Sequence, residues 1–187
     1  MVRIIGTTSD DTLNGTNTAD TLEGNDGADI ISGFDDDDYL HGNQGADEIT
    51  GGFGADTIRG GADADTIYGN DGDDIINGDL SADSIDSGSG ADSVNGNAGG
   101  DNIESGSGND TILGGQGSDV IILGGGDDIS FGNNDGDTID GGEGNDWLQG
   151  NTGSDSLVGN EGIDVIFGGQ DNDTLDGGAE SDVLFGN

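Results

Sequence analysis

Aliphatic residues recur along this chain at a spacing of nine residues, and stretches of polar residues and glycine separate them. The series begins at Leu13 and ends at Leu184, and its one polar member is Ser130. The neighbours on either side of each aliphatic residue are often polar, as expected of a short strand that buries one side chain and exposes the two beside it. The pattern therefore predicts a strand of about three residues in every unit of nine.

The six residues between these strands must turn the chain. They are rich in Gly and Asn, which tolerate the positive φ angles of tight turns. A strand and a turn repeated in this way give a flattened coil with two nine-residue units per coil, and about ten coils in all. The sequence predicts an all-β fold, a parallel β-solenoid, that forms a single domain over residues 1–187, with a degenerate first unit at 1–10 and twenty units over 11–187.

An aspartate precedes each aliphatic position by two residues, in an unbroken series of twenty from Asp11 to Asp182. Alternate units lie on opposite edges of the coil, so the aspartates form two columns in which successive carboxylates are about 5 Å apart. Unscreened charges at that distance repel each other strongly at any dielectric constant typical of a protein. The two columns therefore require bound cations.

The composition points to the same kind of partner. The chain has 2 Lys+Arg against 41 Asp+Glu, a formal net charge of −39, and only 28% hydrophobic residues. This charge excludes nucleic acid and anionic membranes as partners. The longest apolar runs, such as residues 120–123, are far too short to span a bilayer, and the N-terminus lacks the apolar segment of a signal peptide.

Calcium is the cation that suits these columns. Ca²⁺ takes six to eight oxygen ligands in flexible geometry, whereas Mg²⁺ requires a stricter octahedron and Zn²⁺ prefers His and Cys. The chain contains one His and no Cys. Two columns of ten carboxylates offer gaps for at most about 18 ions. The candidate ligands are Asp29, Asp38, Asp47, Asp56, Asp65, Asp74, Asp83, Asp92, Asp101, Asp110, Asp119, Asp128, Asp137, Asp146, Asp155, Asp164 and Asp173.

The repeating unit resembles the RTX (repeats-in-toxin) nonapeptide, G-G-x-G-x-D-x-U-x, in which U is a large aliphatic residue. Strict matches are GGFGADTI at 51–58, GGQGSDVI at 114–121 and GGEGNDWL at 141–148, and the similarity covers the whole chain. The resemblance implies a right-handed parallel β-roll with Ca²⁺ between the turns of successive coils, held by the repeat's Asp and by backbone carbonyls. It also implies a secreted protein exported by type I secretion, in which the roll promotes folding after export.

Calcium binding and folding are expected to be coupled. About twenty buried aliphatic side chains stabilise the fold too little to offset the ordering of 187 residues. We therefore predict that the chain is disordered without Ca²⁺ and folds when the ion binds. The role is structural rather than enzymatic, because His41 is solitary and no nucleophile or phosphate-binding motif occurs. The expected location is extracellular or on the cell surface.

One face near the C-terminus is apolar on positions that point outward. Such a face is typical of an interface with a sister domain or a second copy of the chain, although β-branched and aromatic residues also favour strand surfaces on their own account. An alternative function is therefore a calcium-dependent filament, adhesin or surface-layer element that assembles through uncapped ends or this face. The candidate interface residues are Leu113, Ile129, Phe131, Trp147, Val165, Phe167, Val183 and Phe185.

Overall fold

The computed structural model describes residues 1–186, and β-strands with short turns make up this part of the chain. The odd-numbered strands are β1 (Arg3–Ile5), β3 (Thr21–Asp26), β5 (Tyr39–Gln44), β7 (Thr57–Ala62), β9 (Ile75–Leu80), β11 (Ser93–Ala98), β13 (Thr111–Gln116), β15 (Ile129–Asn134), β17 (Trp147–Thr152), β19 (Val165–Gln170) and β21 (Val183–Phe185). The even-numbered strands are β2 (Thr12–Asn14), β4 (Ile30–Asp35), β6 (Glu48–Phe53), β8 (Thr66–Asp71), β10 (Ser84–Ser89), β12 (Asn102–Glu104), β14 (Val120–Ile122), β16 (Thr138–Glu143), β18 (Ser156–Glu161) and β20 (Thr174–Asp176).

The strands form two parallel sheets. The odd-numbered strands make an 11-stranded sheet, the odd sheet, and the even-numbered strands make a 10-stranded sheet, the even sheet. Leu22 pairs with Leu40 in the odd sheet and Ile31 pairs with Ile49 in the even sheet, so each coil advances the chain by two units of nine residues. This register confirms the predicted β-solenoid of about ten coils.

Most strands are six residues long, which corrects the predicted length of three. The glycine-rich half of the unit continues to pair with the next coil, as Asn25 does with Asn43. Asn25 and Asn43 have φ angles of 80° and 81°, a left-handed conformation that asparagine tolerates better than most residues. Pairing of this half of the unit satisfies backbone groups that an irregular turn would leave without partners.

The core is a single file of aliphatic side chains from each sheet. From Leu13 to Ile166, every aliphatic residue at the predicted core position is buried, and Leu22, Leu40 and Ile58 are fully so. Near the last coil the burial ends, since Leu184 is 42% exposed. Each coil therefore buries its core residues against the coils before and after it, and stability depends on contacts between nearest neighbours.

Some turns keep a left-handed backbone where their glycine is replaced. At Gly72, φ is 135°, and a Cβ there would lie 1.8 Å from the Gly54 carbonyl oxygen of the preceding coil. Asp63 and Ser81 occupy the same position of the motif and adopt φ angles of 74° and 76°. These two units thus keep the sign of φ and accept a backbone conformation that side chains disfavour.

The coil at residues 119–131 departs from the repeat without changing its register. Leu123 stands where most units have a glycine, and Ser130 stands where every other unit from 11 onward has an aliphatic residue. Both side chains are fully buried, and Ser130 still pairs with Ile112 and Leu148 on the neighbouring strands. The two departures occur in successive units and change the buried side-chain volume in opposite directions, which makes them candidates for mutual compensation.

We expect substitutions at these two positions to be coupled. Leu123→Ala leaves a cavity and destabilises by about 2–5 kcal/mol, and Ser130→Ile overfills the coil and destabilises by about 1–3 kcal/mol. The double variant should be less destabilised than the sum of the two, with a coupling of about 0.5–3 kcal/mol, measured by urea unfolding in saturating Ca²⁺. Additivity within about 0.5 kcal/mol would show that the two sites pack independently.

Candidate metal centre

The repeat aspartates lie in the interior, just before the strands. From Asp20 to Asp164 their exposed fractions are 0–4%. Asp38, for example, is immediately followed by β5 and is 4% exposed. Of the seventeen predicted ligands, sixteen are buried and Asp173, near the end of the roll, is half-buried. Buried carboxylates are rare unless they are paired or bind a metal, so these columns need a physical explanation.

One oxygen of each carboxylate links successive coils. The backbone N–H of Asp29 donates to Oδ1 of Asp47 at 2.8 Å, and that of Asp47 donates to Oδ1 of Asp65 at 2.8 Å. The same ladder runs through both columns as far as Asp173 and Asp182. The nine-residue pattern did not predict this ladder. An asparagine oxygen could accept the same bond, so the unbroken use of aspartate indicates a role for the second oxygen.

The second oxygen has no protein partner. In the described part of the chain, the buried Oδ2 atoms without a hydrogen bond belong to all seventeen aspartates predicted as ligands from the sequence. Ser130 contributes the one further atom of this kind, its Oγ. A buried anionic oxygen without a donor is costly, and its repetition in coil after coil is the strongest indication of a missing positive partner.

Glycine leaves a cradle in front of fourteen of these seventeen oxygens. A Cβ on Gly42 would lie 2.1 Å from Asp47 Oδ2 and 2.6 Å from the carbonyl oxygen of Gly60 in the next coil. Gly60 has the same relation to Asp65, since a Cβ on Gly60 would lie 2.4 Å from Asp65 Oδ2. The carboxylate oxygen and the carbonyl oxygen of the next coil thus lie close together beside a residue that has no side chain. This donor set fits a hard cation such as Ca²⁺.

The cradles contain few carboxylates each. Among residues 1–186, no three His, Cys, Asp or Glu side chains come together as a metal-binding cluster. A cation bound here would therefore take most of its ligands from the backbone. Such a site is consistent with Ca²⁺, which accepts carbonyl oxygens readily, and poorly suited to Zn²⁺, which prefers nitrogen and sulfur.

Burial raises the pKa of the interior aspartates. Loss of water around the carboxylate, and then the charges of neighbours in the same column, raise the pKa of Asp65 and Asp74 to about 7. Burial is also the main cause of the raised pKa of the other interior aspartates. The pKa is raised to about 6 for Asp47, Asp56, Asp119 and Asp128, and to about 7 for Asp83, Asp137 and Asp146. Without a cation, these carboxylates are poised to bind protons instead.

Three successive coils of one column have altered cradles. The glycine is replaced by Ser87, Ser105 and Leu123, which lie in front of Asp92, Asp110 and Asp128 in sequence. The Ser87 hydroxyl donates to the Ser105 carbonyl oxygen at 3.0 Å, and the Ser105 hydroxyl donates to the Leu123 carbonyl oxygen at 2.8 Å. Each side chain occupies space that is empty at the glycines. The two columns are therefore chemically unequal.

The predicted apolar face lies on the odd sheet. Its eight residues belong to β13, β15, β17, β19 and β21. Trp147 and Phe167 have ring centroids 4.9 Å apart, and the rings of Phe167 and Phe185 are stacked at 4.6 Å. Trp147 is 41% exposed and Phe185 is 48% exposed. Ring contacts thus join Trp147, Phe167 and Phe185, whereas Gln149 stands between Phe131 and Phe167 in their ladder. The role of the eight residues as an interface stays a prediction.

A parallel β-solenoid with interior columns of aspartate, most of which face a glycine, defines a repeat protein with candidate cation sites between its coils. The family model described as the RTX calcium-binding nonapeptide repeat (4 copies) matches this chain, and the matches together extend from residue 5 to residue 187. The chain therefore belongs to the RTX calcium-binding repeat family. A search of curated proteins found no match. The matched regions are 5–33, 14–49, 32–67, 50–85, 59–94, 68–103, 95–130, 131–166 and 158–187.

No helix in the described residues is long and apolar enough to cross a bilayer. This finding agrees with the short apolar runs of the sequence.

Proposed function

We propose that this chain is a calcium-binding module whose folding is coupled to Ca²⁺ binding, and that the seventeen aspartates named above supply its carboxylate ligands. The observation that carries the proposal is the set of buried Oδ2 atoms without partners. Every one of them faces the interior of a coil, and each has an equivalent 18 residues away in its column. Such an arrangement is repeated far too regularly to be a local packing defect.

Within residues 1–186, no side chain supplies positive charge to these seventeen aspartates, and the N-terminal ammonium group lies 3.7 Å from Oδ1 of Asp20, which is not among them. Arg3 pairs with Glu23 and Arg59 pairs with Asp79, and both arginines are exposed. His41 lies on the odd sheet and burial lowers the pKa of its imidazole. At neutral pH the folded chain would therefore hold buried, mutually repelling carboxylates. Binding of Ca²⁺ removes that penalty only in the folded state, so binding and folding stabilise each other.

This linkage supports a role in a secreted protein. Cytosolic Ca²⁺ is scarce and extracellular calcium modules bind with dissociation constants of about 10⁻⁴–10⁻³ M, so the chain would stay unfolded before export and fold outside the cell. We propose an extracellular or cell-surface location and type I export on these grounds and on family membership. The role proposed is to fold and support the protein that carries the roll, without catalysis.

A calcium titration tests this function directly. We expect the metal-free chain at pH 7.5 to give a coil-like far-UV circular dichroism spectrum and a large hydrodynamic radius. Added Ca²⁺ should convert it cooperatively to a compact β-structure, because each coil stabilises its neighbours. Mg²⁺ at the same concentration is the control and should act weakly. A full β-spectrum in EDTA, or no response to millimolar Ca²⁺, would contradict the proposal.

Light scattering on the same samples tests the alternative of a calcium-dependent assembly. The observation that favours it is the contact of three rings on the odd sheet, in which Trp147 and Phe185 are exposed and Phe167 is half-buried. A monomeric mass at saturating Ca²⁺ supports the folding module. Long particles that form only with Ca²⁺, and that Trp147→Ser prevents, would favour the filament or surface-layer function instead.

A further inference from the structure

The coil formed by β1 and β2, the first coil, differs from all later coils at the residue that follows the cradle glycine. In the later units this residue has a positive φ at every position up to Gly178, as it does at Asn25 and Gly52. The first coil carries Thr7 and Thr16 there, and neither has a positive φ. Threonine is branched at Cβ and disfavours the left-handed region. A single residue type thus changes the course of the backbone in the first coil.

This change directs an amide at the repeat carboxylate. Thr7 donates to Asp11 Oδ2 from its backbone N–H at 2.6 Å and from its hydroxyl at 2.9 Å. Thr16 makes the same two hydrogen bonds to Asp20 Oδ2, both at 2.7 Å. At the seventeen later aspartates named as ligands, Oδ2 has no such donor. The protein itself therefore satisfies the oxygen that is left without a partner in later coils.

The carboxylates of the first coil also lie farther from their glycines. A Cβ on Gly6 would lie 3.0 Å from Asp11 Oδ2, and a Cβ on Gly15 would lie 3.2 Å from Asp20 Oδ2. In the later glycine units, from Gly24 to Gly177, the corresponding distance is 2.1–2.5 Å. The two threonines thus hold the carboxylate oxygen away from the position that it takes in the later cradles.

Asp20 has donors at both of its oxygens although it is 2% exposed. Its Oδ1 accepts from the backbone N–H of Val2, and the N-terminal ammonium group is 3.7 Å away. The Thr16 hydroxyl, followed by the backbone donors, holds the pKa of Asp20 below its ordinary value, whereas burial raises the pKa of Asp29 and Asp38 in the next coil. A buried carboxylate with this set of donors stays ionised without a cation.

We propose that Thr7 and Thr16 take the place of Ca²⁺ in the first coil, so that its two repeat aspartates bind no ion. Amide and hydroxyl donors offer a carboxylate oxygen the positive partner that a cation offers elsewhere. The inference rests on the proposed calcium function, because it states where the two ion columns start.

The first coil in turn holds the first calcium ligands. The backbone N–H of Asp11 donates to Asp29 Oδ1 at 2.8 Å, and that of Asp20 donates to Asp38 Oδ1 at 2.7 Å. The first ions therefore bind against a coil that needs no ion of its own. Since each coil stabilises its neighbour, the threonine hydrogen bonds support the start of both columns.

Ion counting by calorimetry on the full chain at pH 7.5 tests the inference. Asp11→Asn combined with Asp20→Asn should bind the same number of Ca²⁺ ions as the parent chain. Asp29→Asn combined with Asp38→Asn is the matched control, because it makes the same two substitutions one coil further along. The control variant should bind fewer ions than the parent.

Hydrogen exchange tests the role of the hydroxyls. Thr7→Val combined with Thr16→Val removes both hydroxyl donors at nearly constant shape. In saturating Ca²⁺, the protected amides of residues 1–20 should then exchange about tenfold faster or more, measured by mass spectrometry. Serine at both positions keeps the hydroxyls and should restore the parent rate. Thr12→Val combined with Thr21→Val, on β2 and β3, is the control and should leave the rate unchanged.

Two results would overturn the inference alone. One is a loss of bound ions in the Asp11→Asn, Asp20→Asn variant, and the other is an unchanged exchange rate in the Thr7→Val, Thr16→Val variant. In both cases the parent chain still binds Ca²⁺ and the proposed function stands. A parent chain that binds no Ca²⁺ would overturn the proposed function together with this inference, so the two failures are distinguishable.

Discussion

Replacing Asp65 and Asp83 by asparagine is expected to have opposite effects with and without calcium. These residues are neighbours in one column, and each has a buried Oδ2 without a partner. Asparagine keeps an oxygen that can accept the ladder hydrogen bond but removes the buried charge. In saturating Ca²⁺ the two substitutions remove anionic ligands of the ion. In EDTA they remove two buried charges that repel the other carboxylates of the column. The metal-free chain should therefore become more folded, while the calcium-bound chain becomes less stable.

The magnitude with calcium should be large. An interaction with a charged group contributes about 1.5–3 kcal/mol, so the Ca²⁺ affinity of the sites that contain these two residues should fall about tenfold or more, and the Ca²⁺ concentration at the midpoint of folding should rise. Circular dichroism in a calcium titration measures this shift, and calorimetry measures the number of ions lost. The matched control is Asp26→Asn with Asp86→Asn, which removes two exposed charges. Equal shifts in the two double variants would assign the effect to net charge rather than to the interior columns.

The metal-free chain is expected to gain β-structure as the pH falls. Burial raises the pKa of Asp65, Asp74 and Asp83 to about 7 in the fold, above the ordinary value of 3.8. A carboxyl whose pKa is raised by folding stabilises the fold fully below its unfolded pKa, and that stabilisation is lost as the pH rises through the folded pKa. Protons thus replace cations at low pH, and the gain should appear between about pH 7 and pH 5.

Chain stripped of metal ions on a chelating resin tests this prediction from pH 8 to pH 5, with light scattering to detect association as the net charge falls. The ellipticity at the β minimum should grow as the pH falls, and the Asp65→Asn, Asp83→Asn variant should show a smaller pH response. With Ca²⁺ present, protons compete with the ion, so the calcium midpoint should rise at low pH. A chain that loses β-structure on acidification would contradict the assignment of buried, protonatable columns.

The interior position of the aspartates is the main feature that the sequence did not provide. The repeat of nine residues predicted two columns of carboxylates and their spacing, and it placed the aspartates in turns. The structure places them inside the roll, where they are 0–4% exposed from Asp20 to Asp164. The repeat also did not predict the ladder of hydrogen bonds between coils, such as the bond that the Asp29 backbone N–H donates to Asp47 Oδ1. A periodic pattern specifies which residues share a column, whereas the direction of a side chain in an irregular turn depends on backbone angles that only the folded coil sets.

The coil at residues 119–131 is a second place where the structure decided what the sequence did not. In the sequence, Leu123 and Ser130 depart from the repeat. The register is kept at both places, since the flanking coils pair in phase. Packing between coils, which links residues 18 apart, outweighs the local preference of one aberrant unit.

The sequence by itself determined the solenoid, its two units per coil, the aliphatic core from Leu13 onward, the candidate ligand aspartates and the apolar residues of one sheet. Each of these follows from periodicity, since a repeat of nine places equivalent residues in equivalent positions. The tertiary structure decided which carboxylate oxygen is satisfied, which glycines lie against the second oxygen, and that the rings of Trp147, Phe167 and Phe185 are in contact. These relations join different coils at atomic distances, and no spacing along the chain encodes a distance of that kind.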